Sequence, residues 1–214
     1  YLNTSNSELP SNFIRCIFFE NENKIWIGST SGLCLIENDN WSVYDFSTMT
    51  GISSNNITII TNHPSNESIL IGTLNGGLVS YNNEFIFLNN TNSELLDNTI
   101  LDFVFDANEN LIMTTPFGGL GVWSNTNSWI WFNSETTPSL PFFINSLNNI
   151  SIDNNGNIWI STMENGLVKY ANNNWVFYNT ENSQIPDDKI NCIQYDEINN
   201  QMWIGTETEG LVLM

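Results

Sequence analysis

KIWIGSTSGL, residues 24–33, returns as SILIGTLNGGL from residue 68, NLIMTTPFGGL from residue 110, NIWISTMENGL from residue 157 and QMWIGTETEGL from residue 201. Aligned on Trp26, Leu70, Ile112, Trp159 and Trp203, the copies are spaced by 44, 42, 47 and 44 residues. A fixed period of this length marks a repeat architecture, in which each unit buries its apolar faces only against its neighbours.

The sequence between copies repeats too. An apolar run precedes each copy: IRCIFFE from Ile14, ITIITNH from Ile57, ILDFVFD from Ile100, LNNISID from Leu147 and INCIQYD from Ile190. An aromatic run follows the first four: WSVY from Trp41, FIFL from Phe85, WIWF from Trp129 and WVFY from Trp175. Each period thus holds four short runs of β-branched and aromatic residues between Asn and Gly turns, with no sustained helical spacing. In the first repeat they fit strand A at Ile14–Glu20, B at Lys24–Ser29, C at Gly32–Glu37 and D at Trp41–Phe46. Four antiparallel strands per period predict an all-β β-propeller of five four-stranded blades, with the Trp, Ile and Leu of run B in the inter-blade core. The repeat units span about 12–46, 55–88, 98–132, 145–178 and 188–214 plus 1–2, within a single domain, 1–214.

Two small residues recur in register. Gly32, Gly77, Gly119, Gly166 and Gly210 open strand C, where positive φ or a close approach by another strand is expected. Ser29, Thr73, Thr115, Thr162 and Thr206 precede them, and a hydroxyl bonded to the adjoining loop backbone is the expected reason. Tyr1 and Leu2 align with Phe177 and Tyr178 at the end of a D strand, while the last repeat stops after strand C. The two ends are therefore expected to share a closing blade; a slice of a longer propeller is the competing explanation.

Composition narrows the partners. Four Lys and Arg stand against 23 Asp and Glu, a net charge of −19. Such a chain has few cations with which to displace the counterions of nucleic acid or to seek anionic membranes. No apolar run is long enough to span a bilayer. Asn, with 38 residues, suits a protein made of tight turns. Cys16, Cys34 and Cys192 form no CxxC pair and show no metal spacing; Cys16 and Cys192 occupy equivalent positions and are expected as two buried strand residues, not a disulfide.

LPSNFIRCIFFENENKIWIGSTSGL at residues 9–33 and IDNNGNIWISTMENGL at residues 152–167 resemble the two-component regulator propeller repeat, whose pattern runs approximately L-P-S-N-x-V-x-x-I-x-x-D-x-x-G-x-I-W-I-G-T-x-x-G-G-L. The resemblance extends over essentially the whole chain. It implies an extracytoplasmic sensor module, a fragment of the kind of protein in which such propellers sense polysaccharides or glycans for bacterial hybrid histidine kinases. The large sensors continue into many more blades, an immunoglobulin-like domain, a membrane helix and a kinase, none of which stands in this sequence. Repeats specify a scaffold, and function belongs to the site built on it.

Catalytic constellations are not legible. His63 is the single histidine, set in a polar turn, so no Ser-His-Asp, Cys-His or zinc arrangement can be assembled, and no cofactor is implied. DNNGN from Asp153 and DANEN from Asp106 space oxygen ligands as calcium loops do, yet both fall at the A–B hairpin and lack the later bidentate acid, so plain turns are expected. Two sets remain. Asn12, Asn55, Asn98, Asn145 and Asp188 are equivalent at the entry to strand A, and would form either a polar ligand ring or a set of side chains that each fix their own D–A turn. Phe117, Phe142 and Phe143 add aromatic rings on the same face, where rings beside amides suit a sugar. The expectation is a non-enzymatic ligand-binding propeller with an oligosaccharide or other small ligand; a protein-interaction or self-associating scaffold is the alternative, and an extracellular hydrolase or lyase comes third.

Overall fold

β-Branched and aromatic runs broken by Asn and Gly turns assemble into the five blades of an all-β β-propeller. The computed structural model describes residues 1–49, 54–137 and 147–214, and the chain divides into two compact units, residues 1–101 and 102–214. In unit 1 the first blade is β1 (Ile14–Asn21), β2 (Lys24–Ser29), β3 (Gly32–Glu37) and β4 (Asn40–Tyr44). The second is β5 (Ile57–Asn62), β6 (Ile69–Thr73), β7 (Leu78–Asn82) and β8 (Glu84–Leu88). Unit 2 holds the third, β9 (Asp102–Phe105), β10 (Leu111–Thr115), β11 (Gly119–Trp123) and β12 (Trp129–Phe132), and the fourth, β13 (Leu147–Ile152), β14 (Ile158–Thr162), β15 (Leu167–Ala171) and β16 (Asn174–Tyr178). The fifth comprises β17 (Ile190–Asp196), β18 (Gln201–Thr206) and β19 (Leu211–Leu213). Every described sheet is an antiparallel meander in chain order.

Local chemistry sets the hairpins. Asn38 and Asp39 have φ of 48° and 66°, and Asn172 and Asn173 have 50° and 60°. Positive φ at both central residues is the signature of the type I′ turn, whose twist matches that of the strands it joins. The expected D strand of the first repeat ends early, because Phe46 turns into a short 3-10 segment (Phe46–Thr48) capped by the Asp45 side chain.

Cores form where one blade faces the next. In unit 1, Trp26, Leu33 and Leu35 of the first blade pack with Ile57, Ile60, Ile69 and Ile71 of the second. In unit 2, Trp159 and Leu167 of the fourth pack with Ile190, Ile193, Met202 and Ile204 of the fifth. Each fully buried aliphatic side chain contributes about 1.5–3 kcal/mol, so inter-blade burial is the main cohesive term.

The recurrent hydroxyls and glycines form one device. Ser29, Thr73, Thr115, Thr162 and Thr206 each donate from the side chain to the carbonyl of the glycine that opens the next strand, at 2.8–2.9 Å. At Gly166 φ is +78°, and a Cβ would stand 2.1 Å from the Tyr178 carbonyl oxygen at the end of β16. Positive φ and close approach therefore act together. At Gly210 φ is +84°, but nothing lies within 4 Å.

The expected closing strand is not formed. The fifth sheet has three strands, and Tyr1 and Leu2 lie in no strand and are exposed. A pair of residues gains strand geometry only from a ladder partner, and the described ladder ends at β19. The cysteines also differ from expectation: all three are thiols, but Cys16 is half-buried and Cys192 exposed. Each sits opposite a glycine, Gly28 or Gly205, and a Cβ there would come within 2.5 Å or 2.7 Å of its sulfur.

These geometries separate strain from overlap. Gly210→Ala should cost about 1–2 kcal/mol, the penalty for an L-residue in the left-handed region. Gly166→Ala bears that penalty and the overlap with Tyr178, so its midpoint in denaturant unfolding should fall clearly further. Equal losses would show that the carbonyl does not constrain the glycine.

Candidate functional site

The equivalent polar residues at the entry to strand A are engaged in their own loops. Asn12 Oδ1 accepts from the Thr4 N–H at 2.9 Å, Asn55 Oδ1 from Ser47 at 3.1 Å, Asn98 Oδ1 from Asn90 at 2.8 Å and Asp188 Oδ1 from Thr180 at 2.7 Å. In each case the donor lies eight residues earlier in the chain. The amide of Asn55 also donates to Asp45, and that of Asn98 to Asn90.

The loops have a common internal lock. Asn3, Asn89 and Asn179 accept through their side chains from the N–H two residues on. Their own N–H groups donate to Asn6, Asn92 and Asn182, whose amides reach back to the carbonyls of Tyr1, Phe87 and Phe177. Much of the asparagine content is therefore turn machinery. Phe117 is exposed, whereas Asn145, Phe142 and Phe143 lie outside the described residues.

The calcium-like turns are also filled from within. Asp106 accepts from the N–H groups of Asn108 and Asn110 and from the Asn110 amide. Asp153 accepts from the N–H groups of Asn155 and Asn157 and from the Trp159 indole at 2.9 Å. Burial pushes the Asp153 carboxyl up, but the bonds from Trp159 and Asn157 outweigh it and hold the group below its ordinary range. Among the described residues no three His, Cys, Asp or Glu side chains converge as a metal site. His63 takes the Ser65 N–H on Nδ1 at 3.3 Å, as a turn residue does.

An open site exists elsewhere, at the hairpin ends of the first two blades in unit 1. It is a cleft of about 390 Å³, lined by Glu20, Asn21, Lys24 and Trp26 of the first blade and by Asn62, Asn66, Glu67, Ile69, Tyr81, Asn82 and Asn83 of the second. Trp26 is fully buried beneath it, edge-on to Tyr81 with ring centres 5.3 Å apart. The Trp26 indole donates to Glu20 Oε2 at 2.7 Å, and Lys24 Nζ lies 3.2 Å from Glu20 Oε1 and 3.8 Å from Glu37. The lysine is thus neutralised in place, while five amides and a phenol offer both donors and acceptors. This arrangement suits a neutral, hydroxyl-rich ligand better than an anion. In the sequence these residues read as ordinary turns, and only the packing of two repeats makes them neighbours.

A second polar feature is internal to unit 2. Asp102, buried on β9, accepts from the N–H groups of Phe103 at 2.9 Å and Ile150 at 3.0 Å, and from the Asn149 amide. Asn149 in turn accepts from the Ile193 N–H at 2.7 Å, so one chain of bonds ties the third, fourth and fifth blades. Burial pushes the Asp102 carboxyl up to about 7, against the opposing effect of the two N–H donors. The sequence signal was available: Asp102 pairs with Thr114, where the first and fifth repeats pair Cys with Gly.

Residues 8–31 match the family described as Two component regulator propeller, and the chain carries that repeat. No curated protein matches it by sequence. Among solved structures, it is similar to the extracellular domain of BT3049 from B. thetaiotaomicron, assigned to a hybrid two component system, with 22% identity and a TM-score of 0.81 over 95% of this chain and 28% of that one. It is similar to the extracellular domain of BT4673 from the same organism, assigned to a one component system, with 21% identity and a TM-score of 0.77 over 97% of this chain and 28% of that one. An ancestral GH74 enzyme has the same fold, at 17% identity and a TM-score of 0.63, over 90% of this chain and 27% of that one. The chain spans less than a third of each.

The Asp102 environment sets a pH dependence. An unfolded aspartate releases its proton near ~3.9, whereas the folded one holds it to about 7. Between those values the folded state binds more protons, so the stability contributed by this group is full below the lower value and is lost as pH rises to the upper one. Against Asp102→Asn, the wild-type melting temperature should drop progressively from pH 4 to pH 8. A constant difference would mean that Asp102 is ionised throughout.

Proposed function

We propose that this chain is a non-catalytic, extracytoplasmic sensor propeller that binds a neutral oligosaccharide. The observation that carries the reading is the cleft in unit 1, where amides of Asn21, Asn62, Asn66 and Asn82 surround Tyr81 above a buried indole. Sugars take such amides as paired donors and acceptors for hydroxyls, and the net charge of −19 disfavours acidic glycans. Similarity to extracellular domains assigned to a hybrid two component system and to a one component system supports the setting. The strand-entry side chains act in this reading as loop locks, since their acceptors already hold backbone N–H groups. The carboxyl whose environment most favours protonation, Asp102, is buried in the sheet and is placed to hold blades, not to protonate a leaving group.

Calorimetry against neutral oligosaccharides tests this directly. Binding in the micromolar to millimolar range is expected, with Asn66→Ala and Asn82→Ala each weakening it about tenfold, the ~1.4 kcal/mol of a lost hydrogen bond or two. Asn98→Ala should lower stability by about 1 kcal/mol through its lost loop bonds while leaving binding intact. Absence of binding at millimolar glycan, or undiminished binding by both cleft variants, would sink the proposal.

A further inference from the structure

The turn DNNGN at residues 153–157 joins β13 to β14. Its Gly156 N–H donates to the Asp153 carbonyl at 2.9 Å, and the Asp153 N–H to the Asn157 carbonyl at 3.0 Å. Asp153 Oδ1 accepts from the N–H groups of Asn155 and Asn157, each at 2.9 Å. The turn DANEN at residues 106–110, in the third blade, repeats this bond for bond. Glu109 donates to the Asp106 carbonyl and Asp106 to that of Asn110, both at 3.0 Å, and Asp106 Oδ1 accepts from the N–H groups of Asn108 and Asn110 at 2.9 Å. The fourth residue has positive φ in both, +62° at Glu109 and +76° at Gly156. One turn therefore carries a side chain at that position and the other does not.

That difference bears on reactivity. The backbone nitrogen that follows an asparagine can attack its side-chain amide, provided the amide is accessible and no following side chain crowds the approach; glycine offers none. Asn155 and Gly156 are both exposed, and nothing lies within 4 Å of where a Gly156 Cβ would stand. Among the described residues no hydrogen bond holds the Asn155 side chain. Asn-Gly occurs twice more in the sequence, and both pairs are guarded. Asn75 Oδ1 accepts from the Thr99 hydroxyl at 3.1 Å, and Gly76 is buried. Gly166, which follows Asn165, is buried and its N–H donates to the Asp188 carbonyl at 2.7 Å.

We propose that Asn155–Gly156 is a self-modifying site, at which the folded chain converts Asn155 to aspartate and isoaspartate with water as the co-reactant. The Gly156 nitrogen gives up its proton and bonds to Asn155 Cγ, and the side-chain nitrogen leaves as ammonia. The product is a five-membered succinimide. Water then opens the ring: cleavage at Cγ leaves aspartate, whereas cleavage at the main-chain carbonyl leaves isoaspartate, with one more carbon in the backbone. No atom is oxidised or reduced. The turn is tied to its surroundings, because Asp153 Oδ2 accepts from the Trp159 indole at 2.9 Å and the Asn154 amide donates to the Glu197 carbonyl of the fifth blade at 3.1 Å. Isoaspartate draws Gly156 away from Asp153 and so loosens the contact of the fourth blade with the fifth.

Peptide mapping by mass spectrometry, with chromatographic separation of isoaspartyl peptides, tests this on the folded chain held at neutral and mildly alkaline pH. Asn155 should be converted first, faster at the higher pH, and ahead of Asn75, Asn165 and Asn108. Gly156→Glu recreates the third-blade turn and should slow the loss of Asn155 about tenfold, ~1.4 kcal/mol on the barrier. Glu109→Gly, which removes a side chain from a left-handed position, should make Asn108 reactive in its turn. An Asn155 that persists while Asn75 or Asn165 is converted overturns the proposal. So does a Gly156→Glu chain that loses Asn155 at the wild-type rate, or a Glu109→Gly chain in which Asn108 stays inert.

Discussion

Both faces of every inner blade are apolar, and a four-stranded sheet cannot cover its own faces. Trp26 and Leu33 on one side of the first sheet are buried only because Ile57, Ile60 and Ile71 stand opposite. The same holds for Trp159 and Leu167 against the fifth blade. Stability is therefore a nearest-neighbour property of stacked repeats, and the remaining features either fix the spacing of blades or occupy what that spacing leaves open.

Spacing is fixed by short polar devices at the strand ends. The Ser or Thr hydroxyl bonded to the glycine carbonyl, with the carbonyl at the end of the same blade's strand D set over that glycine, locks strands B, C and D of the complete blades. The Asn-rich loops then hand strand D to strand A through amide bonds that close within a dozen residues. In unit 2 the contact between blades is partly polar, through Asp102, Asn149 and the Ile193 N–H. A buried network of this kind specifies one register because any slip would leave the Asp102 carboxyl without its hydrogen-bond partners.

The candidate site reads differently from the scaffold. Strand-entry residues Asn12, Asn55, Asn98 and Asp188 were legible as a set because they recur in register, but recurrence marks a role every blade needs, and here that role is loop closure. The cleft in unit 1 breaks the repeat: the second blade has Leu70 where the first has Trp26, and His63 where the first has the acid Glu20 that caps that indole. Asymmetry of this sort was visible in the sequence, yet its meaning depended on which turns came together.

The sequence by itself determined the strands, their order within each blade, the glycine and hydroxyl lock, and the poverty of cations, because each of these is set by residue type at a fixed period. Tertiary structure decided what periodicity cannot encode. It showed which polar side chains already hold a partner, that Tyr1 and Leu2 join no sheet, and that Asp102 sits among backbone donors instead of solvent. It also placed Glu20, Asn66 and Tyr81 around one cleft. The physical reason is that a hydrogen bond or a cleft depends on distances between chain segments tens of residues apart, whereas a strand depends on its own residues and those opposite.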